Sequence, residues 1–153
     1  MTDAFESIND VLDFAIGEED KAYQLYQDLA QMAENPAIKQ TLGEFAREEL
    51  GHKAKLEAAR HGEVQLGRTQ PNATRLKIED YLVDVELQPD MDYADVLVYA
   101  MKKEKAAYTL YLDLAAQAET QEAANLFTAL AQEEANHKLR FEIEYDDWVM
   151  QEN

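Results

Sequence analysis

Two short strings carry most of the chemistry in this chain: Glu49-Leu50-Gly51-His52 and Glu134-Ala135-Asn136-His137. Each reads Glu-x-x-His. On a helix, residues three apart share a face, so each string offers one carboxylate and one imidazole to a common ligand. A single pair of this kind on a charged helix is ordinarily solvated charge. Here the two pairs are related by an offset of 85 residues, and the same offset pairs Glu19 with Glu104. Two Glu-x-x-His pairs plus one glutamate from each of two further helices form a donor set with which helical bundles hold two metal ions. Four ionised carboxylates balance two divalent ions while both imidazoles stay neutral. Oxygen and imidazole donors suit two iron ions, with manganese as the alternative. Six side chains leave room for water, oxygen or peroxide, which a metal in an open site can activate.

The elements that must position these residues follow from the same offset. Residues 11–34, VLDFAIGEEDKAYQLYQDLAQMAE, align without a gap on residues 96–119, VLVYAMKKEKAAYTLYLDLAAQAE, with thirteen of 24 positions identical. FAREELGHK (45–53) falls on LAQEEANHK (130–138). The repeat predicts a duplicated helical hairpin. The first copy covers about residues 4–61, a linker about 62–89, and the second copy about 90–150, all in one domain. Helix 1 is expected over about 4–33, with Leu12, Ala15, Ala22, Leu25, Leu29 and Ala33 at helical spacing. Asn35-Pro36 supplies a cap and a first-turn proline for helix 2, and Gly62 can stop it after His61. Asp90, after Pro89, is the expected cap of helix 3, and Thr120 that of helix 4. Gly67, Pro71 and Pro89 punctuate the linker, in which residues 76–82 can form a short helix. Tight turns within the hairpins and a long connection between them predict an all-α four-helix bundle with one crossover between helices 2 and 3, the ferritin-like connectivity.

Composition narrows the chemistry further. The 153 residues contain no cysteine, which excludes disulfides, thiolate metal sites and cysteine nucleophiles. Five glycines and three prolines are too few for a strand-rich fold. A formal charge of −18 makes nucleic acid a poor partner and attracts small cations. No apolar run is long enough to span a membrane, and the N-terminus lacks the basic start of a secretion signal. The expected location is therefore cytoplasmic.

Neighbouring polar residues are weighed separately. Glu18 becomes Lys103 in the second copy, which predicts an exposed position. Glu48 and Glu133 do recur, but lie about 100° around the helix from Glu49 and Glu134, so salt-bridged or solvated charge is expected. His61, beside Gly62, reads as a helix-end cation. Tyr23, Tyr26, Tyr108 and Tyr111 follow Glu19 and Glu104 by four and seven residues. They suit either core packing or hydrogen bonds that orient a ligating carboxylate, with Tyr26 and Tyr111 nearest the ligand direction. Trp148 reads as a packing residue. Gly17, Gly43 and Gly51 lie inside helices, where glycine suits close helix approach.

Glu19-x-x-Ala22-x-x-x-Tyr26-x-x-x-Ala30, Glu49-Leu50-Gly51-His52, Glu104-x-x-Ala107-x-x-x-Tyr111-x-x-x-Ala115 and Glu134-Ala135-Asn136-His137 together resemble the ferritin-like superfamily, and more closely the rubrerythrin di-iron domain. The resemblance covers all four helices. It implies two irons held between the helices, whose ferrous pair reacts with oxygen or hydrogen peroxide. It further implies that Glu49 and Glu134 bridge the metals, that Glu19 and Glu104 are mainly terminal, and that His52 and His137 bind one iron each. Tyr26 and Tyr111 would hydrogen-bond ligand carboxylates. The chain lacks the cysteine-rich rubredoxin domain of full rubrerythrins. It also has Ala107 where typical rubrerythrins carry an extra glutamate, so the implied site is symmetric, as in bacterioferritin.

Three functions follow as expectations. The foremost is a di-iron oxidoreductase, a peroxidase or ferroxidase. The others are a ferritin-like iron storage or delivery protein and a non-enzymatic helical interaction module. The expected partners are oxygen or hydrogen peroxide, a separate electron donor, and further copies of the chain in a homo-oligomer, a dimer or larger.

Overall fold

Four long helices dominate the computed structural model, which describes residues 5, 7–67, 76–83 and 85–152. They are α1 (Ile8–Met32), α2 (Pro36–Arg60), α3 (Tyr93–Ala116) and α4 (Gln121–Glu152), with a short 3-10 helix at Ile78–Tyr81. The fold is the all-α ferritin-like four-helix bundle that the repeat predicts. Helices α1 and α2 pack as one hairpin, α3 and α4 as the other, and α1 lies against α3.

The helix ends follow local chemistry. Asn35 caps α2 by accepting from the Ala37 amide at 2.8 Å, with Pro36 in the first turn. Thr120 Oγ1 accepts from the Ala123 amide at 3.1 Å. Two expected starts are corrected. α1 begins at Ile8 rather than near residue 4, because Ser7 caps it by accepting from the Asp10 amide. Phe5 is instead buried beside the crossover, its amide donating to the Leu76 carbonyl at 3.2 Å. The cap of α3 is Asp92, not Asp90. The Met91 amide bonds back to the Gln88 carbonyl, so Pro89 and Asp90 are consumed as the central residues of a turn.

α2 stops at Gly62, which holds a φ of 86°. The Glu63 amide donates to the Ala58 carbonyl at 2.9 Å and the Gly62 amide to the Ala59 carbonyl at 3.2 Å, the paired bonds of a Schellman ending. Gly62→Ala should therefore cost about 1 kcal/mol, from a Cβ in left-handed backbone. Urea unfolding would read this as a lower midpoint with an unchanged slope. The other helical glycines do not serve close approach: a Cβ at Gly17 or Gly51 would meet nothing within 4 Å.

The described parts of the crossover are tied to the second hairpin. Near its start, the Gln65 carbonyl accepts from Thr120 and the Gln65 amide donates to Glu122, at the α3–α4 turn. Further on, Tyr81 is buried and its hydroxyl donates to Asp113 of α3 at 2.7 Å. Pro71 lies outside the described residues. The 3-10 helix at Ile78–Tyr81 matches the short helix expected within 76–82.

The interior divides into two apolar layers. One contains Leu12, Leu56, Leu110, Phe127 and Leu130. The other contains Leu25, Leu29, Leu42, Leu97 and Phe141, with Trp148 packed on Tyr93 at a ring distance of 4.7 Å. All six apolar residues that set the α1 periodicity are buried. The polar cluster described next sits between these layers, where water is excluded and charges interact strongly.

Candidate metal centre

One residue from each of α1 and α3, and two from each of α2 and α4, converge in the middle of the bundle. Glu19, Glu49, His52, Glu104, Glu134 and His137 are all at most 2% exposed. They form two groups, Glu19–Glu49–His52–Glu134 and Glu49–Glu104–Glu134–His137, in each of which one ligand atom per residue lies within 4.8 Å of the others. Glu49 and Glu134 belong to both groups. The structure thus brings together all six residues that the spacing singled out.

The atoms face one another without bonding. The Nδ1 of His52 is 3.1 Å from Glu134, 3.5 Å from Glu19 and 3.8 Å from Glu49. The Nδ1 of His137 is 2.9 Å from Glu49 and 3.7 Å from both Glu104 and Glu134. Yet both Nδ1 atoms, both Glu49 oxygens and one oxygen each of Glu19, Glu104 and Glu134 are buried without a hydrogen bond of acceptable geometry. Unbonded buried acceptors are costly and uncommon. Seven of them aimed at one interior space are what a pair of cations would satisfy.

The electrostatics reflect the same crowding. Burial, and then the charge of Glu49, pushes the Glu134 carboxyl up to about 8. Burial likewise raises Glu19, Glu49 and Glu104, with like charge from neighbouring glutamates adding to it. Burial opposes the charged form of His137, but the carboxylates of Glu104 and Glu49 beside it outweigh this and move the imidazole up to about 11. His52 moves the same way: its burial is outweighed by Glu134, Glu19 and Glu49.

The outer nitrogen of each histidine is held from the opposite hairpin. The Nε2 of His52 on α2 is 3.0 Å from Glu133 on α4, and the Nε2 of His137 on α4 is 2.5 Å from Glu48 on α2. A carboxylate at Nε2 holds a proton there and leaves Nδ1 as the nitrogen turned toward the cluster, the one that a metal ion would take once its own proton is lost. Helical azimuth correctly gives Glu48 and Glu133 as salt-bridging residues, but it does not give this partner. Their recurrence at offset 85 was the signal that could have found it. Glu48→Gln and Glu133→Gln should each weaken metal binding about tenfold, because the histidine loses its orienting anion. Competition against a chelator would measure this, and unchanged affinity in both variants would contradict the role.

The tyrosines split. The Tyr111 hydroxyl donates to Glu19 at 2.5 Å across the α1–α3 contact, as the resemblance implies. Tyr26 is equally buried, but its hydroxyl has no hydrogen-bond partner among the described residues. Tyr23 instead accepts from Gln27, and Tyr108 packs against the apolar layer below the cluster. Glu18 is corrected too. It is only 16% exposed, and it pairs with Lys103 at 3.0 Å and Lys21 at 3.2 Å.

The family profile described as rubrerythrin matches residues 10–145. The chain belongs to the rubrerythrin family. No curated protein matches it significantly. Among solved structures, it is similar to Hypothetical Protein Pfu-1136390-001 from Pyrococcus furiosus. That likeness has 26% identity, covers 92% of this chain and 89% of the other, and has a TM-score of 0.71. A rubrerythrin-family bundle with a buried carboxylate–histidine cluster fits a di-iron site. Among the described residues, no helix is long and apolar enough to cross a membrane.

Proposed function

We propose that this rubrerythrin-family chain is a di-iron carboxylate oxidoreductase whose ferrous centre is oxidised by hydrogen peroxide or oxygen. The observation that carries the reading is the sharing of Glu49 and Glu134 by two overlapping donor groups. Glu49 and Glu134, common to both groups, would serve two metal ions at once. Glu19 and His52 would complete the donor set of one ion, and Glu104 and His137 that of the other. Two ferrous ions supply the two electrons that, with two protons, convert one hydrogen peroxide to two waters. The electrons are restored by a separate donor or by further ferrous iron.

The chain's own residues set the conditions for this. The apolar layers exclude bulk water from the cluster. Glu48 and Glu133 hold the histidine tautomers. Tyr111 fixes the rotamer of Glu19 and keeps a proton at one of its oxygens. Iron is favoured over manganese on family grounds, since the donor set accepts either.

Anaerobic Fe(II) loading followed by rapid mixing with hydrogen peroxide or oxygen tests the reading. A fast rise in ferric absorbance at two irons per chain is expected. Iron that stays ferrous, or oxidises no faster than free Fe(II), would sink it.

A further inference from the structure

A narrow cleft, little wider than a water molecule, opens between α1 and α3 and ends on the four buried glutamates. Its walls include Phe14, Ala15, Ala22, Ala107 and Leu110, which are apolar, together with the rings of Tyr81 and Tyr111. At the outer end stand Glu18 and Lys103, joined at 3.0 Å and only 16% and 13% exposed. These two residues hold the same place in the two repeats, so the pair lies where the two-fold relation between the hairpins crosses the bundle. The cleft therefore reaches both metal positions alike. Tyr26 also lines it, fully buried and with its hydroxyl unbonded among the described residues, which leaves one polar group without a partner inside the passage.

We propose that the α1–α3 cleft admits a small uncharged oxidant to the carboxylate cluster, and that the Glu18–Lys103 pair across its mouth sets the size of what passes. Apolar walls disfavour an anion, which would lose its water and then meet the buried carboxylates. A neutral molecule of two heavy atoms loses little. Lys103 closes the mouth without sealing it. Its ammonium stays within reach of solvent, so the side chain can swing outward without burying a bare charge. Had the second repeat kept glutamate at this position, two like charges would face each other there and hold the mouth open. The exchange of one for lysine converts a repulsion into a latch. Ala107 leaves the wall open where a longer side chain would fill it.

This inference rests on the di-iron reading for its substrate but not for its route, and the experiment separates the two. Crystals of the metal-free protein pressurised with xenon should show an atom in the cleft beside Ala107, and crystals of Ala107→Leu should show none. With Fe(II) bound anaerobically, nitric oxide serves as an uncharged diatomic probe. Ala107→Leu should slow its binding about tenfold or more at unchanged iron content, as expected for an overfilled passage. Should Ala107→Leu lose helicity, Ala15→Leu on the facing wall makes the same test. Lys103→Ala should leave nitric oxide binding within about twofold. It should raise the rate with tert-butyl hydroperoxide, relative to hydrogen peroxide, about tenfold. That bulkier oxidant takes the same two electrons and two protons to give tert-butanol and water. Nitric oxide binding equally fast in a folded, iron-loaded leucine variant would overturn the route. An unchanged hydroperoxide ratio in Lys103→Ala would overturn the latch. If the wild-type chain holds no iron, the di-iron reading fails by itself, and xenon still decides the cleft: an atom there supports the route and an empty cleft overturns it.

Discussion

Glu49→Gln should empty both metal positions at once, whereas His52→Ala should weaken chiefly one. Glu49 belongs to both donor groups, and neither of its oxygens has another partner. Glutamine keeps the shape but removes the anion, so the loss falls on both ions. A fall of about 100-fold or more in affinity is expected, at least the upper range for residues that merely orient ligands. The same variant should be more stable than the wild type without metal at pH 8. It no longer desolvates that carboxylate, which burial and the charge of Glu19 both disfavour. Chelator competition and thermal unfolding of the metal-free protein measure the two effects. Glu134→Gln should behave alike. Loss of only one ion in both variants would contradict bridging.

Metal should stabilise the bundle, and should do so more as pH rises. In the metal-free protein, Glu134 is raised from 4.5 to about 8 and His137 from 6.5 to about 11. A raised folded-state value means that the folded chain binds more protons than the unfolded one. The stabilisation is complete below the unfolded value and is lost as pH climbs through the folded one. For Glu134 the loss spans about 4.5 to 8, and for His137 about 6.5 to 11. The metal-free melting temperature should therefore fall from pH 5.5 to pH 8. Metal reverses this, because it binds the deprotonated donors and releases their protons. At a free metal concentration of 100 times Kd the gain is about 2.7 kcal/mol, or about 8 °C for a chain of this size. Anaerobic melting with and without Fe(II) at pH 5.5 and 8 should show the larger gain at pH 8, with protons released in calorimetry. Equal melting with and without metal would favour a helical interaction module instead.

The sequence made the donor set legible because helical spacing and the 85-residue offset are one-dimensional signals. Glu49 and His52 lie on one face whatever packs against them. The same holds for the buried α1 stripe and for the Asn35 and Thr120 caps. What was not legible depends on what the opposite helix presents. From its own helix Glu48 reads as salt-bridged or solvated without any named partner, and only α4 shows that the partner is His137. Glu18 looks exposed because its counterpart is lysine, yet that lysine is its partner. The split between Tyr26 and Tyr111 is likewise invisible in two identical repeat positions, since it arises from how α1 and α3 meet. Asp90 and Asp92 are equally good caps by type, and a turn made by Pro89 decided between them.

The most direct test of the account is metal count and spacing in one preparation. Anaerobic Fe(II) titration followed by iron-edge X-ray absorption should give two irons per chain, with an iron–iron separation of about 3.5–4 Å, as carboxylate-bridged pairs require. One tightly bound iron per chain, or two with no iron neighbour, would contradict it.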